Sequence, residues 1–184
     1  MKLLHSALRF RVNYFSDLGR HQVVVTTTPG LASLWLIPRL AAFTRAHPGV
    51  DVRLDASFAR RDLEVDGIDL AIRYADPRHA EGDKLFDEEV IPVCSPALLA
   101  PEQPALRAPA DLARHTLLRM EDHVGAGPLA DWHPWLVSMG VPDLQPAAVL
   151  TFTNYDDVIN AALHGQGVAM GRRPLVDRLL AEGR

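Results

Sequence analysis

The hydrophobic pattern between Val23 and Tyr74 switches repeatedly between the period of a strand and the period of a helix. Val23-Val24-Val25-Thr26 is a run rich in β-branched residues, which suits a strand covered on both faces. Thr27-Thr28-Pro29-Gly30 breaks it. Residues 33–47 then carry Leu36, Leu40 and Phe43 at helical spacing, with Pro38 confined to a first turn or a kink and His47-Pro48-Gly49 as the stop. Residues 50–57 alternate apolar and polar, residues 61–66 suggest a short helix stopped by Gly67, and residues 68–74 read as a third strand. A chain that runs strand, helix, strand, helix, strand has few ways to pair its strands. The rhythm predicts an α/β fold with a parallel sheet.

The second half repeats the theme less regularly. Glu89 to Val93 is a strand, and Ser95-Pro96 opens a short helix with a serine cap and proline at its first position. A proline-rich connection (Pro101, Pro104, Pro109) leads to a helical turn at Asp111-Leu112-Ala113 and a strand at residues 116–119. Residues 131–139 predict a helix burying Trp132, Trp135 and Leu136, and residues 148–153 a strand. A helix over 156–164 closed by Gly165, a short strand at 168–170 and a last helix over 174–181 complete the chain.

The 184 residues suffice for one substantial core or two small lobes. A net charge of −4 gives no bulk attraction to a polyanion, so direct DNA contact by this chain is not expected. The single cysteine, Cys94, excludes an internal disulfide framework and fits a reducing compartment. Residues 1–22 have weak periodicity and read as a leader or linker remnant; they lack an uninterrupted apolar region and a small-residue cleavage site. No apolar run is long enough to cross a bilayer, and a cytoplasmic location with no membrane contact is expected.

Enzyme chemistry finds little support. There is no Gly-x-Ser-x-Gly turn for a hydrolase nucleophile, and Cys94 sits at a strand end where an inert packing role is the plainer reading. The eight histidines (His5, His21, His47, His79, His115, His123, His133, His164) show no metal-binding spacing, so no metal and no cofactor is expected. Glu88-Glu89 and Asp156-Asp157 are adjacent pairs; in extended chain such neighbours point to opposite faces and make poor acid–base dyads. Gly165-Gln166-Gly167 follows a helix rather than opening one, so it reads as a helix cap and not a phosphate loop. A hydrolase on the same scaffold is the residual enzyme alternative.

Five phrases in unbroken order then resemble the effector-binding domain of LysR-type transcriptional regulators. They are the stretch from Thr28 to Val50 (Pro-Gly-Leu-Ala-Ser-Leu-Trp-Leu-Ile-Pro-Arg-Leu, then His-Pro-Gly-Val), Gly67 to Tyr74, Leu85 to Pro96, Asp111 to Leu118, and Ala161 to Gly171. The Ala-Ile-Arg-Tyr and Gly-Gln-Gly-Val phrases are most similar to the glycine-cleavage-activator branch. The resemblance covers about Val23 to Arg184, without the family's winged helix-turn-helix, and suggests truncation at the C-terminus as well. It implies a two-lobed α/β fold of the type 2 periplasmic-binding-protein-like kind with mixed sheets. Lobe I would hold residues 23–93 plus 170–184 and lobe II residues 94–169. It also implies a homodimer and a small, anionic metabolite sensed in the cleft between the lobes. A stand-alone solute-binding protein and a truncated dimerising decoy are the alternatives.

In such a fold ligands sit at the carboxyl ends of strands, where first-turn N–H groups and the helix dipole hold a carboxylate. Thr27, Thr28 and Ser33 fall between the first strand and the first helix, as ligand contacts or as a cap. Arg73 and Tyr74 end the third strand; the guanidinium either meets a carboxylate ligand or pairs with Asp69, Asp76 or Asp87. Ser95 caps a helix or faces the ligand. Thr153, Asn154 and Tyr155 stand between a strand and a helix, again as contacts or caps.

Overall fold

The computed structural model describes residues 2–10, 21–75, 82–121 and 131–184. The expectations touching residues 11–20, Asp76, His79 and His123 lie outside the described residues. The chain divides into an N-terminal unit, Lys2–Glu88, and a C-terminal unit from Glu89 to Arg184.

The N-terminal unit contains β1 (Lys2–Phe10), β2 (His21–Thr27), β3 (Val50–Ala56), β4 (Leu70–Ala75) and the first part of β5 (Asp83–Val93). The first four strands lie in the order β3-β2-β4-β1. β2 runs parallel to both neighbours, Val25 standing opposite Leu54 on one side and Leu70 on the other. This is the parallel pairing that the strand–helix rhythm predicts. β1 lies antiparallel to β4, with Phe10 opposite Leu70. Residues 1–22 are therefore not simply a leader: Lys2–Phe10 form a strand, and His21 and Gln22 open β2. The free backbone groups along β4 supply the reason, because an edge needs partners that no local periodicity announces.

Residues 29–46 form one helical run: α1 (Pro29–Leu31), a π turn (Ala32–Leu36) and α2 (Ile37–Ala46). It starts four residues before the expected Ser33, because Pro29 serves as a first-turn residue and not as a breaker. The π turn stands just ahead of Pro38. Its wider ring accommodates a residue that has no N–H and whose ring crowds the carbonyl four positions back. Val25, Leu31 and Ile72 form the buried centre of this unit, with Trp35 and Phe86 packed against them at a ring separation of 5.1 Å. The short helix expected at residues 61–66 is a single turn instead. The Asp62 carboxylate accepts from the amides of Glu64 and Val65, and this side-chain turn competes with helix.

The C-terminal unit holds the rest of β5, then β6 (Thr116–Met120), β7 (Ala148–Phe152) and β8 (Val168–Arg173), in the order β5-β8-β6-β7. β8 is antiparallel to β5, Val93 opposite Ala169, while β6 is parallel to β7 and β8. Among the described residues three α-helices accompany them: α3 (Trp132–Ser138), α4 (Tyr155–Leu163) and α5 (Asp177–Ala181). Two 3-10 segments, Pro96–Leu99 and Pro109–Arg114, join β5 to β6. Tyr155, Val158, Ile159 and Ala162 recur at helical spacing and make the buried face of α4.

Gly165 adopts φ +72 just after α4, the left-handed cap read from the sequence. Gly167 has another reason. A Cβ there would run into the carbonyl of Thr116, so the second glycine is a close-approach position.

One boundary differs from the sequence reading. The resemblance implies residues 170–184 in the first lobe; β8 continues to Arg173 beside β5, and Leu175, Val176 and Leu179 are buried within the C-terminal unit. Strand register with Glu89–Val93 decides this, and register is not written in the local pattern.

Candidate functional site

The carboxyl ends of β2 and β3 meet at one edge of the N-terminal unit, Thr27 opposite Ala56, with β4 parallel beside them. Thr27 is fully buried, and its carbonyl accepts from the Ser57 amide at 2.8 Å. Its hydroxyl has no hydrogen-bond partner among the described residues. Thr28 occupies the cap position of the helical run in an extended conformation, yet its side chain makes no capping bond. The Thr28 carbonyl takes the first intrahelical bond, from Ala32. The amides of Gly30 and Leu31 therefore precede any intrahelical acceptor, and together with the helix dipole they favour a negative charge. Two hydroxyls, one of them enclosed, and two first-turn amides thus stand together where a strand passes into a helix.

Behind it stands a network that the sequence did not reveal. Thr26, fully buried, donates from its hydroxyl to the Asp55 carbonyl at 3.2 Å. The same hydroxyl accepts from Arg73 Nη2 at 2.7 Å. Arg73 also donates to the carbonyls of Ser57 and Ala59, each at 3.1 Å. Burial pulls the Arg73 pKa below its usual value, with Asp55 acting to raise it and Arg61 to lower it further. Three of the guanidinium's five N–H donors thus go to the chain itself, tying β4 to β2 and to the segment after β3. Tyr74 follows Arg73 on the opposite face of β4, its hydroxyl oxygen enclosed by protein. Ser33 lies exposed in the π turn. Asp69, one proposed partner of Arg73, accepts from the Val24 amide at 2.8 Å, and Asp87 pairs with Lys84 at 2.7 Å.

In the C-terminal unit the candidates are largely committed locally. Ser95 caps its 3-10 turn, accepting from the Ala97 amide at 3.4 Å. Tyr155 is 3% exposed, and its hydroxyl donates to the Met170 carbonyl at 3.0 Å while accepting from the Arg172 amide at 2.6 Å. It is a strut between α4 and β8, with the Arg172 guanidinium 5.2 Å from its ring centre. Both capacities of its hydroxyl are thus used within the unit. Asn154 holds the cap position of α4 without a capping bond and donates to Asp157 at 3.3 Å; Thr153 beside it is exposed. Asp156 has one carboxylate oxygen enclosed without a hydrogen-bond partner among the described residues, and burial raises its pKa, with Asp157 adding to the shift.

Thr26 and Asp55 are the residues missed. The three consecutive threonines marked the end of β2, but only the strand register shows that the first anchors, the second is enclosed and the third stays uncommitted. Among the described residues no three His, Cys, Asp or Glu side chains gather into a group that could hold a metal ion.

A mixed α/β chain with hydroxyls and helix-start amides at its strand ends is a small-molecule binding domain in form. The model of the LysR substrate binding domain family matches residues 16–184. This chain belongs to that family and has its periplasmic-binding-protein-like fold. It is 35% identical over 164 residues to the glycine cleavage system transcriptional activator of Escherichia coli K12, covering 88% of this chain and 52% of that protein. It is 32% identical over 176 residues to the transcriptional activator AmpR of Pseudomonas aeruginosa, covering 94% of this chain and 55% of that one. The chain therefore spans about half the length of the curated relatives it matches. Among solved structures, the AmpR effector domain of Pseudomonas aeruginosa superposes with a TM-score of 0.65 at 30% identity, covering 88% of this chain and 75% of that one. CrgA of Neisseria meningitidis, at 23% identity and a TM-score of 0.68 over 89% of this chain and 54% of that one, shares the fold.

Proposed function

We propose that this chain is the effector-sensing part of a LysR-type transcriptional regulator and that it holds a small anionic metabolite at the carboxyl edge of its N-terminal unit. One observation carries the reading. Thr28 holds a helix-start position with its hydroxyl uncommitted among the described residues, beside the first-turn amides of Gly30 and Leu31 and the enclosed hydroxyl of Thr27. A carboxylate there gains charge-assisted hydrogen bonds at a site already biased toward negative charge. The relatives are named as transcriptional regulators, and this supports sensing over turnover. The network through Arg73, Thr26 and Asp55 keeps the edge in shape, so the binding geometry is set before the ligand arrives. A cytoplasmic location, a homodimeric assembly and no direct DNA contact by this chain belong to the same reading.

The test is a thermal-shift screen of small carboxylates, glycine among them because one relative is named for the glycine cleavage system. Calorimetry on the hits follows. Thr28→Ala should weaken a hit by about tenfold, the loss of one charge-assisted hydrogen bond, with the melting temperature of the free protein unchanged. Thr27→Val should weaken it as well. Undiminished affinity in both variants would remove the site.

A further inference from the structure

The C-terminal unit carries a concavity on the edge of its sheet opposite to Thr153 and Asn154. Those two residues follow the carboxyl end of β7, which runs in the same direction as β6 and β8. The concavity lies instead beside Val168, the first residue of β8, and Val93 and Cys94 at the end of antiparallel β5. Its volume is about 350 Å³, within the usual range of small-ligand sites.

The walls are apolar. Leu112 and Val168, both almost fully buried, form the floor. Trp135 and Leu106 line it and stay half-buried, and Leu99 stands at 60% exposure. The indole of Trp135 is held edge-on by Trp132 at 5.9 Å, and Trp132 in turn is anchored by its bond to the Leu118 carbonyl at 2.9 Å. The aromatic wall is therefore fixed, with little rotamer freedom to lose when a guest arrives.

One charge faces this apolar surface. Arg107 lines the concavity and is exposed, and among the described residues its guanidinium has no hydrogen-bond or ion-pair partner. The nearest carboxylate in the chain does not neutralise it. Asp111 accepts from the amides of Arg107 and Ala108 and pairs with the guanidinium of Arg114. Those bonds hold the Asp111 carboxyl below its usual pKa range. A cation left unspent beside a fixed hydrophobic wall is complementary to a molecule with one carboxylate and an apolar tail. A neutral hydrocarbon leaves the guanidinium unused, and a small polar anion leaves Leu99, Leu106 and Trp135 wet.

We propose that this groove is a second ligand site, one that takes a hydrophobic monocarboxylate. The carboxylate pairs with Arg107 and the medium-length apolar tail lies along Trp135 and Leu106 over Leu112 and Val168. The site is independent of the N-terminal edge described above.

The test is calorimetric titration of the 184-residue chain with decanoate, using decanol and decylamine as controls of equal tail length. Decanoate should bind saturably at one site and quench tryptophan fluorescence. Arg107→Gln should weaken it about tenfold or more, the range for losing a hydrogen bond to a charged group. Ala108→Trp, which fills the groove from an exposed position, should abolish binding, while Thr28→Ala should leave it unchanged. Decanol should bind at least about tenfold more weakly, for the same reason. Four results would overturn the proposal: no saturable binding, equal affinity for decanol, undiminished affinity in Arg107→Gln, or loss of binding in Thr28→Ala. Light scattering adds a fifth. A dimer that Ala108→Trp disrupts and decanoate leaves intact would assign the groove to a second copy of the chain.

Discussion

The two units end their strands in opposite ways. At the edge of the N-terminal unit, the side chains nearest the helix start stay uncommitted among the described residues, and the residues behind them are bound tightly. Thr28 makes no capping bond, whereas Thr26, Asp55 and Arg73 are joined to one another and to the segment after β3. In the C-terminal unit the hydroxyls are spent. Ser95 caps its own turn, and Tyr155 bonds to two backbone groups of β8. The same sequence signal, a hydroxyl between a strand and a helix, therefore yields a cap position without a capping bond in one unit and a strut in the other. What separates them is whether a backbone partner lies within reach after folding.

The largest effect that would break this contrast is in the strut. Tyr155→Phe removes a donor and an acceptor inside the fold and leaves the Arg172 amide and the Met170 carbonyl without that partner. A loss of about 2–3 kcal/mol in unfolding free energy is expected, measured by denaturant titration, with little change in affinity for a carboxylate hit. A loss of affinity at intact stability would return Tyr155 to the ligand site.

Next is the positioning arginine. Arg73→Met keeps the stem but strips the donors from Thr26, Ser57 and Ala59. Stability should fall by about 1–3 kcal/mol. Carboxylate affinity should fall less in Arg73→Lys, which keeps the charge and loses the fork. A loss of affinity in Arg73→Met with no loss of stability would instead set the guanidinium against the ligand.

Gly167→Ala should destabilise by about 1–3 kcal/mol, because the new methyl group meets the fixed Thr116 carbonyl. Ligand affinity in the surviving folded fraction should not change. Gly165→Ala meets no such obstacle and should suffer only from the left-handed backbone at that position.

The smallest effect sharpens the C-terminal side. The Asp156 pKa is raised by burial, so the folded state binds its proton more readily than the unfolded chain does. Its contribution to stability is present below the unfolded carboxylate pKa of about 4 and is lost as pH rises through the raised folded value. Asp156→Asn should therefore raise the melting temperature at neutral pH, and the gain should shrink on acidification. A pH-independent gain would point to helix propensity, not to the titration.

Much of the fold was legible because it rests on local rules. β-branched runs, alternation at residues 50–57 and the glycine-closed helix before Gly165 each reported their element. The helix start was misread by four residues, since Pro29 can either end a strand or open a helix and only the path of the chain chooses. β1 was missed, because its pairing with β4 depends on an edge the local pattern does not describe. At the edge of the N-terminal unit, the sequence places Thr27 and Thr28 between a strand and a helix, and they stand there. The place of Arg73 at a strand end and its charge are legible in the sequence, but its partners lie 14, 16 and 47 positions away in the chain.

The order of residues by itself determined the α/β rhythm, the caps, the family and the short stretch where hydroxyls and helix-start amides coincide. Those follow from periodicity and from groups only a few positions apart. The tertiary structure decided which polar groups remain uncommitted, because a hydrogen bond requires its partner within about 3 Å and strand register alone brings distant residues that close. That is why three threonines in a row acquired three different roles.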